Sequence, residues 1–550
     1  MPYVITRSCC NDASCVPVCP VNCIHPTPDE PDYRTAEMLY IDPDVCIECG
    51  ACMDVCPVAA IAPDYELPES MERYQQINAR YYLDPENADY PQTANAPRKR
   101  EWSGDWDGPL RVAVVGSGPS ACYVAEELLE TRGLDVSVDM FERLPTPFGL
   151  VRYGVAPDHQ DTKVVAEQFG SLFRRSGFRL FLNVEVGTDV TFEQLQDRYH
   201  AVVYAVGAMR DRRLGIAGED LPGSHAATDF VAWYNGHPDA VDHEFDLSGE
   251  RAVIVGNGNV ALDVARVLTA DLAVLERSDI ADHALDALRS SAIREVVVLG
   301  RRGPAEAAFT TPELLGLLAT RGVHVRVEGA DGALREPADD IARLKAEVLD
   351  EAAATQPEDG DRTVTLRFLS SPAELLGDSR VTGLRVGRNE LVEEGGRTAA
   401  RPTGELEDLD CGLVLRSVGY FGEPVPGLPF DVDRGVVPNS EGKVVDPAGE
   451  WSGRAYVVGW IKRGPSGVIG TNKLCAQETV AALLHDVREG VIPPELAVED
   501  DLETLVPDRL DAAAWKRIDR HERAAGRPDG RPRVKTVRAE DLVQIGRGDV

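Results

Sequence analysis

The chain has 550 residues, 43% of them hydrophobic, and carries 92 acidic against 57 basic side chains for a formal net charge of −35. That length predicts three or four domains with substantial cores, and so acidic a surface excludes nucleic acid as the main partner, because neutralising phosphates needs a basic face. No apolar run reaches the roughly 18 residues that span a bilayer, and "MPYVITRSCC" lacks a basic stretch followed by an apolar one, so no membrane insertion or export signal is expected and the expected compartment is the cytoplasm.

The first predicted unit is residues 1–68, where nine of the twelve cysteines fall before residue 57. Clustered thiols without an export signal point to metal rather than to disulfides. "CIECGACMDVCP" gives Cys46, Cys49, Cys52 and Cys56 followed by Pro57. This is the spacing in which three thiolates wrap one iron–sulfur cubane and the fourth reaches to a second cluster. Structural zinc is the weaker reading, since its cysteine pairs are usually well separated. "SCCNDASCVPVCP" repeats the pattern as Cys9, Asp12, Cys15, Cys19 and Pro20.

A pseudo-twofold ferredoxin domain is therefore expected. Cross-ligation places a [4Fe–4S] cluster on Cys46, Cys49, Cys52 and Cys19. The other cluster falls on Cys9, Cys15 and Cys56, with Asp12 at the fourth corner. Three thiolates suit [3Fe–4S]; a carboxylate on a labile fourth iron, giving a second [4Fe–4S], stays open. Cys10 replaces Cys9 if the register slips by one, and Cys23 reads as a spare buried thiol. The head holds eleven Asp/Glu and two Lys/Arg, a face suited to a basic protein partner.

Residues 69–108 read as a polar linker; fully flexible, they would span roughly 35 Å root mean square. Tyr81, Tyr82, Trp102 and Trp106 suggest that parts of it are pinned to a surface.

A β-α-β unit follows over 111–142: strand "RVAVVG", the turn Gly116-Ser117-Gly118-Pro119-Ser120-Ala121, an apolar helix stripe at Ala121, Val124, Ala125, Leu128 and Leu129, and strand "VSVDMFE" ending in Glu142. Glycines that let a pyrophosphate approach a helix N-terminus, with an acid for ribose hydroxyls, predict dinucleotide binding. "RAVIVGNGNVALDVARVL" repeats the fingerprint with Gly256, Gly258 and Ala261, but its second strand ends in Arg301-Arg302. Two guanidinium groups there suit a 2′-phosphate, hence NADP. "AYVVGWIKRGPSGVIGTNKLCAQETVAALL" reads as a strand, Gly-rich turn and helix whose amides face a flavin. The predicted domains are 109–209 (FAD, first part), 210–415 (inserted NADP domain) and 416–550 (FAD, second part with a C-terminal extension). The fold class is an α+β ferredoxin domain followed by an α/β flavoprotein with Rossmann-like FAD and NADP domains. A disulfide reductase is disfavoured, because Cys122, Cys411 and Cys475 are isolated in sequence.

"VGSGPSA", "LPTPFGLVRYGVAPDHQ", "VGNGNVALDVAR", "GRRGPAEAAFTTPEL" and "GWIKRGPSGVIGTNK" together resemble the adrenodoxin-reductase-like ferredoxin–NADP reductases over residues 110–550. The head resembles seven-iron bacterial ferredoxins, with a shorter Cys9-to-Cys15 spacing than many of them. The resemblance implies FAD contacts at Ser120, Glu142, Leu150, Val186, Trp460, Gly467, Val468 and Ile469. It implies NADP contacts at Asn257, Gly258, Asn259, Val260, Arg301, Arg302, Glu313 and Gly467, with His159 and Glu313 beside flavin and nicotinamide. From the residues alone, His159 would pass for a core or capping histidine. The expected reaction moves a hydride between NADPH and FAD, then single electrons through the clusters to a redox acceptor protein, either a free ferredoxin or an iron–sulfur or haem enzyme. Alternatives are the electron-input subunit of a larger enzyme, similar to the glutamate synthase small subunit, and a non-catalytic flavin-binding scaffold with structural metal.

Overall fold

The computed structural model describes residues 2–93, 100–329, 340–395, 397–446, 448–449, 451–498 and 502–549. In the head, strand Tyr3–Ile5 pairs antiparallel with Ile61–Pro63, and Ile24–His25 with Tyr40–Ile41. The two cysteine loops share one backbone shape. Asn11, Ala13 and Asn22 have φ of 57°, 54° and 51°, and the residues 37 positions on, Glu48, Gly50 and Ala59, have 62°, 75° and 48°. Outside glycine such a conformation costs on the order of 1 kcal/mol per residue. Its recurrence at matched positions means that the first loop keeps the turn that wraps a cluster, with Asp12 where the second loop has Cys49.

The first nucleotide domain is a seven-stranded sheet in the order 439–440, 443–445, 451–457, 201–204, 110–115, 136–142, 178–182. Its last five strands run parallel. Strand 451–457 returns beside 201–204, so everything between is an excursion into a second domain. Both faces of this sheet are covered: Val112 and Val114 pack toward helices Pro119–Leu129 and Thr471–Arg488, while Ala113 and Val115 enter a separate cluster with Phe141 and Phe181. A strand buried on both faces needs the continuous apolar run "VAVV" rather than an alternation. The second domain is a six-stranded parallel sheet in the order 224–226, 413–416, 251–255, 295–299, 362–367, 323–328. Three antiparallel strands, 370–376, 383–394 and 397–410, extend from it. The two chain crossings pair with each other at Arg210–Asp211 and Tyr420–Phe421. No helix among the described residues is long and apolar enough to cross a membrane.

Part of the expected linker is folded onto the head, at the place where Tyr81 and Tyr82 suggest pinning, and is not fully flexible. Helix Arg73–Tyr81 buries Tyr74, Ile77, Asn78 and Tyr81 against the head. Asn78 binds both strand pairs: its Nδ2 donates to the Ile5 carbonyl at 2.8 Å, and its Oδ1 accepts from the Ile5 and Ile41 amides at 3.2 and 2.9 Å. Tyr81 stacks on Tyr40 at 4.4 Å, and the Tyr82 hydroxyl donates to the Tyr40 carbonyl at 2.7 Å. Residues 94–99 of the expected linker lie outside the described residues. The head is docked rather than tethered. Val4, Ile5, Tyr74 and Ile77 share one apolar cluster with Leu314, Leu317 and Val348 of the second domain, while Cys10, Val58 and Ala60 join the core of the first.

Candidate functional site

Two cavities in the head follow the cross-ligation pattern. One is lined by Cys19, Cys46, Cys49 and Cys52, with Tyr3 and Cys23 beside them. The other is lined by Cys9, Cys15, Cys56 and Asp12, with Cys10 beside them. Their sulfur-rich walls fit iron–sulfur clusters. Cys10 belongs to the flavin-side core, and its carbonyl accepts from the Gly470 amide at 2.7 Å. Cys23 Sγ lies 3.4 Å from Cys19 Sγ, and its hydrogen bonds hold Cys19 and Cys46 down to about 6. The residue read as a spare thiol therefore stands against the four-cysteine cavity rather than apart from it.

Asp12 is buried and lines the cavity of Cys9, Cys15 and Cys56. Its carboxylate accepts from Ser14 N at 3.2 Å and from the Ser14 hydroxyl, and lies 3.7 Å from Lys473 Nζ of the flavin domain. Lys473 also donates to Ser14 Oγ at 2.9 Å. The cavity with Asp12 is the inner one: a Cβ on Gly470 would fall 2.1 Å from the Asp12 amide nitrogen. Cys49 of the other cavity is exposed.

In the first nucleotide domain the turn is built as its glycines require. A Cβ on Gly116 (φ 103°) would strike the Ala205 carbonyl at 2.5 Å, whereas one on Gly118 would meet nothing within 4 Å, the open cradle a pyrophosphate needs. Glu142 accepts from Ser117 Oγ at 2.6 Å and Leu144 N at 3.0 Å, and burial raises its carboxyl. Leu150 follows Gly149, which packs on Gly118. Ser120 Oγ donates to Asn472 Oδ1 at 3.0 Å, and Asn472 Nδ2 returns to the Val468 and Ile469 carbonyls, which joins the turn to Gly467–Ile469. Trp460 stacks on Tyr420 at 6.0 Å. Val186 lies two residues beyond Val184, whose amide bonds the Glu142 carbonyl.

The second turn repeats this logic. A Cβ on Gly256 would meet the Ser417 carbonyl at 2.1 Å, and one on Gly258 nothing within 4 Å. Asn257 abuts Gly300, and Asn259 Oδ1 accepts from Thr310 N at 2.8 Å; Val260 follows in the same helix. Arg301 and Arg302 follow strand 295–299, anchored by their carbonyls to Asn389 Nδ2 and Leu369 N. Neither guanidinium has an ion-pair partner among the described residues, which fits an anionic ligand.

His159 and Glu313 meet between the two domains. His159 Nε2 lies 3.9 Å from Glu313 Oε2, and both surround Arg266, which contacts Asp158 at 2.5 Å, Asp263 at 2.6 Å, His159 Nε2 at 2.7 Å and Glu313 at 3.7 Å. Arginine can only donate, so His159 accepts at Nε2 and carries its proton on Nδ1. Burial lowers His159 to about 4, so it is neutral at pH 7. Burial, with Asp263 next, raises Glu313 to about 7. His159, Asp263 and Glu313 are close enough to hold a cation, and the Arg266 guanidinium is that cation. Sequence reasoning missed Arg266 and Asp263; they stand in the quoted "VALDVAR", but only the packing of that helix on residues 156–160 gives them a role.

Residues 110–329 match the pyridine nucleotide-disulphide oxidoreductase family, and residues 39–62 the 4Fe-4S binding domain. The chain is 49% identical to a probable ferredoxin/ferredoxin–NADP reductase of Mycobacterium tuberculosis, covering 99% of this chain and 94% of that protein. It is 47% identical to the corresponding protein of Mycobacterium leprae, over 100% of this chain and 98% of that one. The solved structure of Mycobacterium tuberculosis FprA in complex with NADPH matches 80% of this chain and 100% of that chain, with 49% identity and a TM-score of 0.76.

Proposed function

Because the chain belongs to the ferredoxin/ferredoxin–NADP reductases, an adrenodoxin-reductase-like flavoprotein fused to an iron–sulfur head, we propose that it passes electrons from NADPH to an external one-electron acceptor protein. The balance is one NADPH and two oxidised acceptors giving NADP⁺, a proton and two reduced acceptors. FAD, when bound, supplies the conversion of a two-electron hydride into single electrons, and iron–sulfur clusters take these one at a time. The chain's own residues bind and orient. Gly116, Gly118, Ser120 and Glu142 cradle the flavin nucleotide; Gly256, Gly258 and Asn259 seat NADPH, with Arg301 and Arg302 on its 2′-phosphate. Neutral His159 and buried Glu313, held by Arg266, shape the reacting end and keep water out.

The observation that carries this reading is the docked head. Its Asp12-bearing cavity touches the Gly470 turn of the flavin domain, while Cys49 of the other faces solvent. The inner set is read as a three-iron site on Cys9, Cys15 and Cys56, because Ser14 and Lys473 hold the Asp12 carboxylate. The outward face has Ile47 and Met53 at 58% and 41% exposure, with Asp54 and Glu66 exposed nearby, and residues 35–72 contain no Lys or Arg. An acceptor with a basic rim around an apolar centre fits that face.

Anaerobic mixing with NADPH, followed by electron paramagnetic resonance, tests the route. An oxidised three-iron signal should disappear and a reduced four-iron signal appear, and NADH should do neither at the same concentration. Reduction of cytochrome c, used as a basic one-electron probe, should slow as salt rises. Flavin bleaching with unchanged cluster signals would sink the reading. Arg302→Leu should raise KM for NADPH about 10- to 100-fold, the loss of a charge-assisted bond of about 1.5–3 kcal/mol. KM for NADH should not change; an equal rise for both cofactors would remove Arg302 from the phosphate site.

A further inference from the structure

The head does more than carry cysteines: it grips the helix that holds Glu313. That helix, Thr311–Leu318, is eight residues long, and a short helix depends on its neighbours for order. At its N-terminus, Glu37 of the head accepts from the Thr311 amide at 2.7 Å. This satisfies one of the amides a helix leaves without a partner, and does so with a full negative charge. The other Glu37 oxygen pairs with Lys345 Nζ at 2.7 Å, so the capping carboxylate is fixed from two sides. In the middle of the helix, Arg7 of the head lies across Gly316, and a Cβ there would fall 2.1 Å from Arg7 Nη1. Residues three apart share a helix face, which puts the Arg7 guanidinium on the Glu313 side. Glu313 Oε2 is buried without a hydrogen bond among the described residues, so its place depends on the helix and on the surrounding charges.

We infer that Glu37 and Arg7 of the iron–sulfur head are positioning residues for the NADPH chemistry of the reductase: Glu37 fixes the start of the Glu313 helix, and Arg7 sets its depth and the field at the Glu313 carboxyl. The inference rests on the reading of Glu313 as a residue at the reacting end of NADPH. The groups facing Glu313 are Asp263 and Arg266 from helix Asn259–Thr269, Asp158 and His159 from the turn before helix Gln160–Lys163 of the first domain, and Arg7 and Tyr74 from the head. Arg7 is two residues from Cys9 in the chain, so the loop that lines the inner cavity also delivers this guanidinium. The fused head is then a working part of the NADPH site, and not only an electron outlet.

The test uses the full-length holoprotein with flavin and iron content verified. Ferricyanide turnover gives kcat and KM, and calorimetry gives the pH dependence of NADP⁺ affinity. Arg7→Met and Gly316→Ala should each lower kcat about tenfold with KM for NADPH within about twofold. Both should move the acid-limb midpoint of kcat and of NADP⁺ affinity to higher pH, since a carboxyl deprived of a nearby cation holds its proton more tightly. Arg7→Lys should restore most of the rate. Gly316→Ala leaves the head sequence untouched and raises helix propensity, so it guards against a folding defect in the head. Wild-type kcat and pH profile in both variants, with Glu313→Gln impaired, would overturn the inference alone. A wild-type-like Glu313→Gln would overturn the reading of Glu313 beneath it.

Discussion

Replacing Cys19 by serine is expected to abolish the four-iron cluster of the other repeat. Cys19 belongs in sequence to the first loop, yet its sulfur lines the cavity of Cys46, Cys49 and Cys52. Serine cannot supply a thiolate, and the three left on Cys46, Cys49 and Cys52 can hold at most a three-iron cluster. The iron content should fall by at least about one atom per chain, and by about four if that remnant is also lost. The reduced four-iron resonance should vanish, while the oxidised three-iron resonance from Cys9, Cys15 and Cys56 stays. Cytochrome c reduction should drop to background, because the outward-facing site is the one lost, and ferricyanide reduction should persist. Cys56→Ser gives the mirror result: the three-iron resonance disappears, although residue 56 belongs to the second loop. Loss of the three-iron resonance in Cys19→Ser would mean instead that each repeat holds its own cluster.

The repeats show why some of this molecule was legible from residues and some not. A cluster loop and a dinucleotide turn are local codes. Cys-x₂-Cys-x₂-Cys-x₃-Cys-Pro and GxGxxA each specify a backbone path of a dozen residues, and the structure adopts both paths twice. The positive φ at Ala13, opposite Gly50, shows the first loop obeying the code after its second cysteine became Asp12. What lay outside local pattern was association. Residues 69–93 are polar, and the helix at 73–81 presents only Tyr74, Ile77 and Tyr81 to the head, too few apolar residues for a periodicity to stand out. Asn78 reads as a surface amide until its bonds to Ile5 and Ile41, 73 and 37 residues away, are seen. Arg7 and Glu37 likewise gain meaning only from Gly316 and Thr311, some 300 residues downstream. The local signals that predict two nucleotide folds contain nothing about which faces of them a head will cover.

The C-terminal extension supplies the largest expected effect on stability. Glu522, in helix Ala512–Gly526, is fully buried and accepts from Arg152 Nη1 and Nη2 at 2.9 and 2.6 Å, from Arg533 Nη1 at 3.0 Å and from the Thr536 amide at 3.0 Å. Arg152 lies in the short helix that begins at Leu150, beside the open turn of the flavin domain. The chain then crosses to the second domain, where Lys535 Nζ contacts Asp279 and Asn235 at 3.0 and 3.1 Å, and Arg531 contacts Asp282 at 2.6 Å. Glu522→Ala removes the negative charge and leaves two guanidinium groups facing a cavity. Breaking one member of a buried ion pair costs about 3–5 kcal/mol, because the survivor keeps its desolvation penalty. Glu522→Gln should cost less, since its amide oxygen still accepts. With several domains and a bound flavin there is no single two-state transition to quote, so the quantity to measure is the temperature at which flavin fluorescence is released. It should fall by roughly 10 °C in the alanine variant. Burial alone would raise the Glu522 carboxyl, but the charge and hydrogen bonds of Arg152, with help from Arg533, hold it below its ordinary 4.5. A carboxyl depressed by folding contributes its full stability above that ordinary value and loses it as pH falls through the lower folded one. The gap between wild type and Glu522→Gln should therefore be constant above about pH 5 and narrow below about 4.5. A gap that widened on acidification would show that the buried carboxyl is held protonated instead, and that Arg152 is balanced by another group.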